Sequence, residues 1–242
     1  MLLRADALLS RYGYCSRKEA KLWLRQGRVR SETGRLSDPS AKIDPKKVYV
    51  DGAAVAYPDG LFVKLHKPAG HVCSHDPAEG PSVYDLLPPQ WMRRNPQPTV
   101  IGRLDKDTTG LVLITDDHQL VHRLISPKNK IPKVYRVELD RSPDAALMEI
   151  FAAGTLLLNG EKTPCLPAEV SEISGTRCAV TLYEGRYHQV KRMFAACGYH
   201  VELLHRVRVG EWELGELAEG TWEIVSPEPM GSSMPDAQDI DQ

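Results

Sequence analysis

Gly102 Arg103 Leu104 Asp105 Lys106 Asp107 Thr108 Thr109 Gly110 Leu111 Val112 Leu113 Ile114 sets a charged loop between two glycines and follows it at once with an apolar run. A run this short, with β-branched members, reads as a buried strand, so the loop before it is anchored to a sheet. Glycine at both ends allows turns and close backbone approaches that other residues resist. Asp105 is therefore the first candidate for chemistry, although an acid between cations is by default a surface ion pair.

Outward from this loop, strands are expected at 61–65, 111–115, 134–139 and 177–183, with helices at 117–125, 143–153 and 188–197. The N-terminal region reads differently. Helices are expected at 2–12 and 16–26, the second capped by Ser16, followed by short extended pieces from Val29 to Asp51 and a linker from Ala53 to Gly60. In the second helix Arg17, Lys18, Lys21, Arg25 and Arg28 recur at helical spacing with Glu19 the only acid among them. A basic helix so sparsely relieved points to an anionic partner rather than a merely solvated face. Three spans follow: a basic two-helix and hairpin module with linker at 1–58, a larger domain at 59–228, and an acidic tail at 229–242 expected to be disordered.

Net charge is −1, but residues 1–52 carry +6, 53–208 carry +2 and 209–242 carry −9, which puts the polyanion contact at the N-terminal end. With 42% hydrophobic residues the 242-residue chain can bury a full core. Its apolar runs fall short of the ~18 residues a membrane helix needs, and Arg4 and Asp6 interrupt any signal-like segment. We expect a monomeric cytoplasmic protein without membrane contact. Five scattered cysteines with no CxxC pair suit reduced thiols. His71, Cys73 and His75 lie close together, but no second pair answers them as structural zinc would require, so no metal is assigned.

Three further segments join the Asp105 loop: Lys67 Pro68 Ala69 Gly70, Lys133 Val134 Tyr135 Arg136 Val137, and Glu184 Gly185 Arg186 Tyr187 His188 Gln189 Val190 Lys191 Arg192 Met193 Phe194. In this order the chain resembles the pseudouridine synthases, in the branch that places an S4 RNA-binding module before the catalytic domain. Asp105–Asp117, Ser126 Pro127 and Glu184–Ala196 are similar to the members acting on small-subunit (16S) ribosomal RNA. The S4 resemblance is looser, with Arg4 Ala5 Asp6 Ala7 where the module typically reads Arg Leu Asp Lys.

The resemblance implies an α+β fold: a small S4-like module, then a catalytic domain whose mixed, mainly antiparallel sheet is flanked by helices. It implies isomerisation of uridine to pseudouridine in ribosomal RNA, within a small-subunit assembly particle, with no cofactor or metal. It assigns catalysis to Asp105, with Tyr135 stacking on the extruded base and Lys191 as basic partner. Arg103, Leu182, Arg186, Arg192 and Lys67 are the implied substrate contacts. The chemistry fits: a carboxylate ionised in a dry site needs a fixed cation, and a stacked uridine must be extruded to be reached. His188 is expected to be a helix-start histidine bonded to backbone. The competing readings are a 23S-specific relative, a non-catalytic rRNA-binding or ribosome-assembly factor, and a glycoside hydrolase using Asp105 with Asp107. The last gives the basic helix no purpose.

Overall fold

The computed structural model describes residues 1–227, so the expected tail at 229–242 lies outside the described residues. The N-terminal module runs β1 (Leu3–Arg4), α1 (Ala5–Arg11), α2 (Arg17–Arg25), β2 (Val29–Ser31), β3 (Gly34–Arg35), β4 (Lys42–Ile43), β5 (Val48–Val50) and β6 (Ala53–Ala54). Ser16 caps α2 in a reciprocal capping box with Glu19, which satisfies two otherwise orphaned amides. The first helix starts at Ala5, not residue 2, because Leu3 and Arg4 pair with Ile43 and Lys42. That pairing is non-local, and helical periodicity cannot announce it. Leu8, Leu9, Ala20, Leu24, Val48 and Val50 close a small core of their own. β6 pairs with β5, so Ala53 and Ala54 at the start of the expected linker belong to the module's sheet.

The larger part comprises β7 (Phe62–Lys67), β8 (Thr99–Ile101), β9 (Thr109–Thr115), α3 (His118–Ile125), β10 (Lys133–Leu139), α4 (Ala145–Ala153), β11 (Glu169–Ser174), β12 (Arg177–Leu182), α5 (Gln189–Ala196), β13 (Val201–Val209), β14 (Trp212–Glu213) and β15 (Trp222–Ile224). The main sheet has the order β11-β12-β10-β13-β9-β7-β15, with β8 paired to β9 and β14 to β13. Only β13 and β9 run parallel; the other pairings are antiparallel. This is the expected mixed, mainly antiparallel sheet.

Strand β9 explains why its sequence is a continuous apolar run. Val112 and Ile114 join the cluster containing Phe151 of α4 and Phe194 of α5, whereas Leu111 and Leu113 join Leu120 and Leu124 of α3. Successive side chains point to opposite faces, and here both faces are covered. The loop before β9 is thus attached to one of the most deeply buried strands of the protein. The longest strand, β13, was not expected: Val201–Val209 carries Glu202, His205, Arg206 and Arg208, which hide its period.

Candidate active site

The loop 102–110 is held from below by buried cations. Lys67 at the end of β7 is fully buried, and its Nζ donates to the carbonyls of Pro68 (3.0 Å), Lys106 (3.1 Å) and Thr108 (2.7 Å). Arg206 of β13 is 1% exposed; its Nε donates to the Leu111 carbonyl at 2.8 Å and its NH2 to that of Gly102 at 2.7 Å. One guanidinium therefore ties the start of the loop to the strand beyond its end. Gly110, at φ +104°, lies so close to the Arg206 backbone that a Cβ there would overlap it. Lys133 of β10 is buried beside Arg206, but its Nζ donates to the Ile131 carbonyl at 3.1 Å and not to the loop, and burial drives its ammonium down to about 8. Buried cations that spend their protons on carbonyls preorganise a loop as well as any strand pairing does.

On this base Asp105 is 22% exposed in its side chain and faces the start of α5. Its Oδ2 is 3.5 Å from Lys191 Nζ and its Oδ1 is 3.2 Å from His188 Nε2. Lys191 also donates to Asp107 Oδ1 at 2.6 Å, which holds the Asp107 carboxyl below its usual value. One lysine thus joins both acids of the loop. His188 differs from the expectation: its ring meets Asp105, and its backbone sits in the left-handed region at φ +47°. Glu184 builds that turn by accepting from the Leu166 amide, Gln189 Nε2 and Arg186 Nε. A non-glycine residue held at positive φ at such a site marks a conformation imposed by its surroundings.

Asp105 opens onto a cleft of about 980 Å³, room for more than one nucleotide by comparison with ordinary ligand sites. Arg103 lines it with a side chain 68% exposed, 3.8 Å from Glu79, and so remains available to a phosphate.

Several expected contacts are redirected. Lys67 is a support of the loop and cannot touch substrate while its protons are spent on carbonyls. Arg186 donates to Thr163 and Pro164 carbonyls and to Glu184, and Arg192 to Asn159 and Tyr187 carbonyls and to Glu161. Both fasten the 159–164 segment to the start of α5; Arg186 lines the cleft with its donors already taken, and among the described residues Arg192 does not line it. Leu182 and Tyr135 lie in the main core, and among the described residues neither lines the cleft. Tyr135 is 8% exposed and occupies the same row of the sheet as Arg206 and Gly110, with the guanidinium 6.0 Å from its ring centre. That row places it behind the end of the Asp105 loop. In the N-terminal module Arg17, Lys18, Lys21 and Arg25 are exposed, but Arg28 pairs with Asp51 at 2.6 Å and covers the Trp23 ring. Arg206 is the residue the sequence reading missed; a cation inside an apolar alternation was the available signal. Among the described residues no group of His, Cys, Asp and Glu is arranged to hold a metal. Cys73 instead accepts from the Leu104 amide at 3.5 Å, and His75 lies flat against Tyr84.

Comparison with known proteins identifies the family. The RNA pseudouridylate synthase family matches residues 62–196 and the S4 domain matches residues 3–49. Ribosomal small subunit pseudouridine synthase A of Escherichia coli (strain K12) is 39% identical over 235 residues, covering 95% of this chain and 99% of that protein. An RNA pseudouridine synthase of Bacillus subtilis (strain 168), YtzG, whose name marks it as uncharacterized, is 36% identical over 233 residues, 94% of this chain and 97% of its own. A crystal structure described as a pseudouridylate synthase superposes with a TM-score of 0.64 at 35% identity, across 93% of this chain and 96% of that one. With that family model spanning more than half of its residues and such relatives matching nearly its whole length, the chain belongs to the RNA pseudouridylate synthase family.

Proposed function

We propose that this protein isomerises one uridine of small-subunit (16S) ribosomal RNA to pseudouridine, acting as a monomer in the cytoplasm on an assembling small subunit. The observation that carries the reading is Asp105 at 3.5 Å from Lys191 on the floor of the cleft. Breaking the bond from C1′ to N1 and rejoining the base through C5 conserves every atom: the proton lost from C5 is balanced by one gained at N1. Asp105 acts on the reacting nucleoside as nucleophile or base, and Lys191 sets a positive charge 3.5 Å from it. Arg103 contacts the RNA backbone beside the extruded nucleotide. For Tyr135 to stack on the base, as the family resemblance implies, the end of the Asp105 loop has to shift, because Tyr135 does not line the cleft in this structure. Support for the small-subunit target comes from the name and near full-length match of the E. coli relative.

The test is a strain lacking this protein, its ribosomal RNA mapped for pseudouridine. One 16S position should lose the modification and regain it with the wild-type gene, whereas Asp105→Asn should leave turnover reduced at least ~100-fold while RNA binding persists. Loss of a 23S position instead would move the substrate to the large subunit, and no loss at all would leave a binding factor.

A further inference from the structure

Two pairs of stacked rings line the same cleft from two separate loops. On one side His75 lies on Tyr84 with ring centres 3.7 Å apart and planes 5° from parallel. Tyr84 is buried, its hydroxyl accepting from the Val100 amide at 3.0 Å, while His75 is exposed. On the other side Tyr187 lies on His188 at 3.8 Å and 19°, and Tyr187 is 76% exposed although His188 is held at Asp105. Each pair thus has an inner ring fixed to the protein and an outer ring with one face open, and all four residues line the cleft. An exposed tyrosine kept flat against a partner is already in the conformation that stacking needs, so little side-chain entropy remains to be lost.

We propose that His75 and Tyr187 are stacking platforms for the unpaired nucleotides that flank the target uridine, one on each side of Asp105. A uridine extruded from its stack leaves its neighbours without a partner face, and an aromatic ring replaces that face whatever the base. The cleft is large enough for the neighbours as well as the target. Partial burial of its ring holds the His75 imidazole below its usual titration point, so the ring presents a neutral face at pH 7. The chemistry selects single-stranded or extruded RNA and rejects a continuous duplex, whose bases offer no free faces.

This inference rests on the proposed function only in taking RNA as the substrate, and its test does not require turnover. Full-length protein carrying Asp105→Asn is titrated with 16S ribosomal RNA prepared from cells lacking the protein. Tyr187→Ala and His75→Ala should each weaken binding roughly 5- to 150-fold, the range expected when one base–ring stack is removed, while Tyr187→Phe and His75→Phe stay within about twofold. Bases beside the bound uridine should also become protected from chemical modification in the parent and not in the Ala variants. Ala variants that bind as tightly as the parent, or Phe variants as weak as the Ala ones, would overturn the platforms. Ring-dependent binding to an RNA that the wild-type protein does not isomerise would sink the proposed function and leave the platforms standing.

Discussion

Lys133 shows how much of this site is decided by where a charge is buried. Its Nζ donates to the Ile131 carbonyl at 3.1 Å, and the Arg206 guanidinium nearby adds to the cost of charging it. Burial is the larger cause, with Glu184 opposing both. Because its folded pKa of about 8 lies below the unfolded value of 10.5, the unfolded chain binds more protons between those limits, and this residue's penalty is relieved as pH rises through them. Lys133→Met should therefore be more stable than wild type at pH 7, with the gap narrowing by pH 10.5. Urea denaturation of both proteins at the two pH values measures it, and a gap independent of pH would refute the assignment. Lys67 and Arg206 show the same effect in geometry. A lysine or arginine in a motif reads as a substrate contact, yet these two have spent their donors on the loop's own carbonyls.

Among the elements, α2 is the one whose role is most nearly written in its residues. Ser16 and Glu19 define its start, Ala20 and Leu24 its buried side, and Arg17, Lys18, Lys21 and Arg25 its exposed side. Replacing those four cations by Ala should leave the melting curve within a few degrees of wild type, since surface changes of this kind cost little. RNA affinity should fall, and the slope of log K against log salt should shrink by roughly 0.7 to 0.9 for each phosphate left without its cation. An unchanged slope in binding titrations at several salt concentrations would exclude α2 from the interface. Arg28 is left out of that set because Asp51 and Trp23 already occupy it. Strand β13 is the opposite case. Its alternation is broken by Arg206, buried only because Gly102 and Leu111 carbonyls await it across the sheet, and no local pattern reports a partner 95 to 104 residues away.

At the scale of the whole molecule, the S4 module and the catalytic part meet at a built junction. Arg94 is buried, donates to the Tyr57 carbonyl at 2.9 Å, stacks over Tyr12 and sets its Nε 3.0 Å from Asp116 Oδ2. That last approach is misaligned for a hydrogen bond and acts as a charge contact. Asp116 in turn accepts from the Leu61 amide, and Tyr12 donates to the Pro58 carbonyl. Gly13, at φ +74°, lets the chain pass where a Cβ would strike the Gln90 carbonyl. Arg94→Met should cost about 3 to 5 kcal/mol, because it leaves Asp116 charged without its partner, whereas Arg94→Met with Asp116→Asn should recover part of that loss. Denaturant unfolding of the two variants decides it. Residues alone pointed to the family, the S4-before-catalytic order, the five α-helices and the strands β7, β9, β10 and β12, since glycine placement, caps and two-sided apolar runs are local signals. Which cations are spent on the fold, that His188 turns to Asp105, and that two ring pairs line one cleft were settled only by tertiary structure. Those outcomes depend on which distant carbonyls, carboxylates and rings the sheet brings within about 3 to 4 Å, a distance at which hydrogen bonds and ring stacking act and which no spacing along the chain encodes.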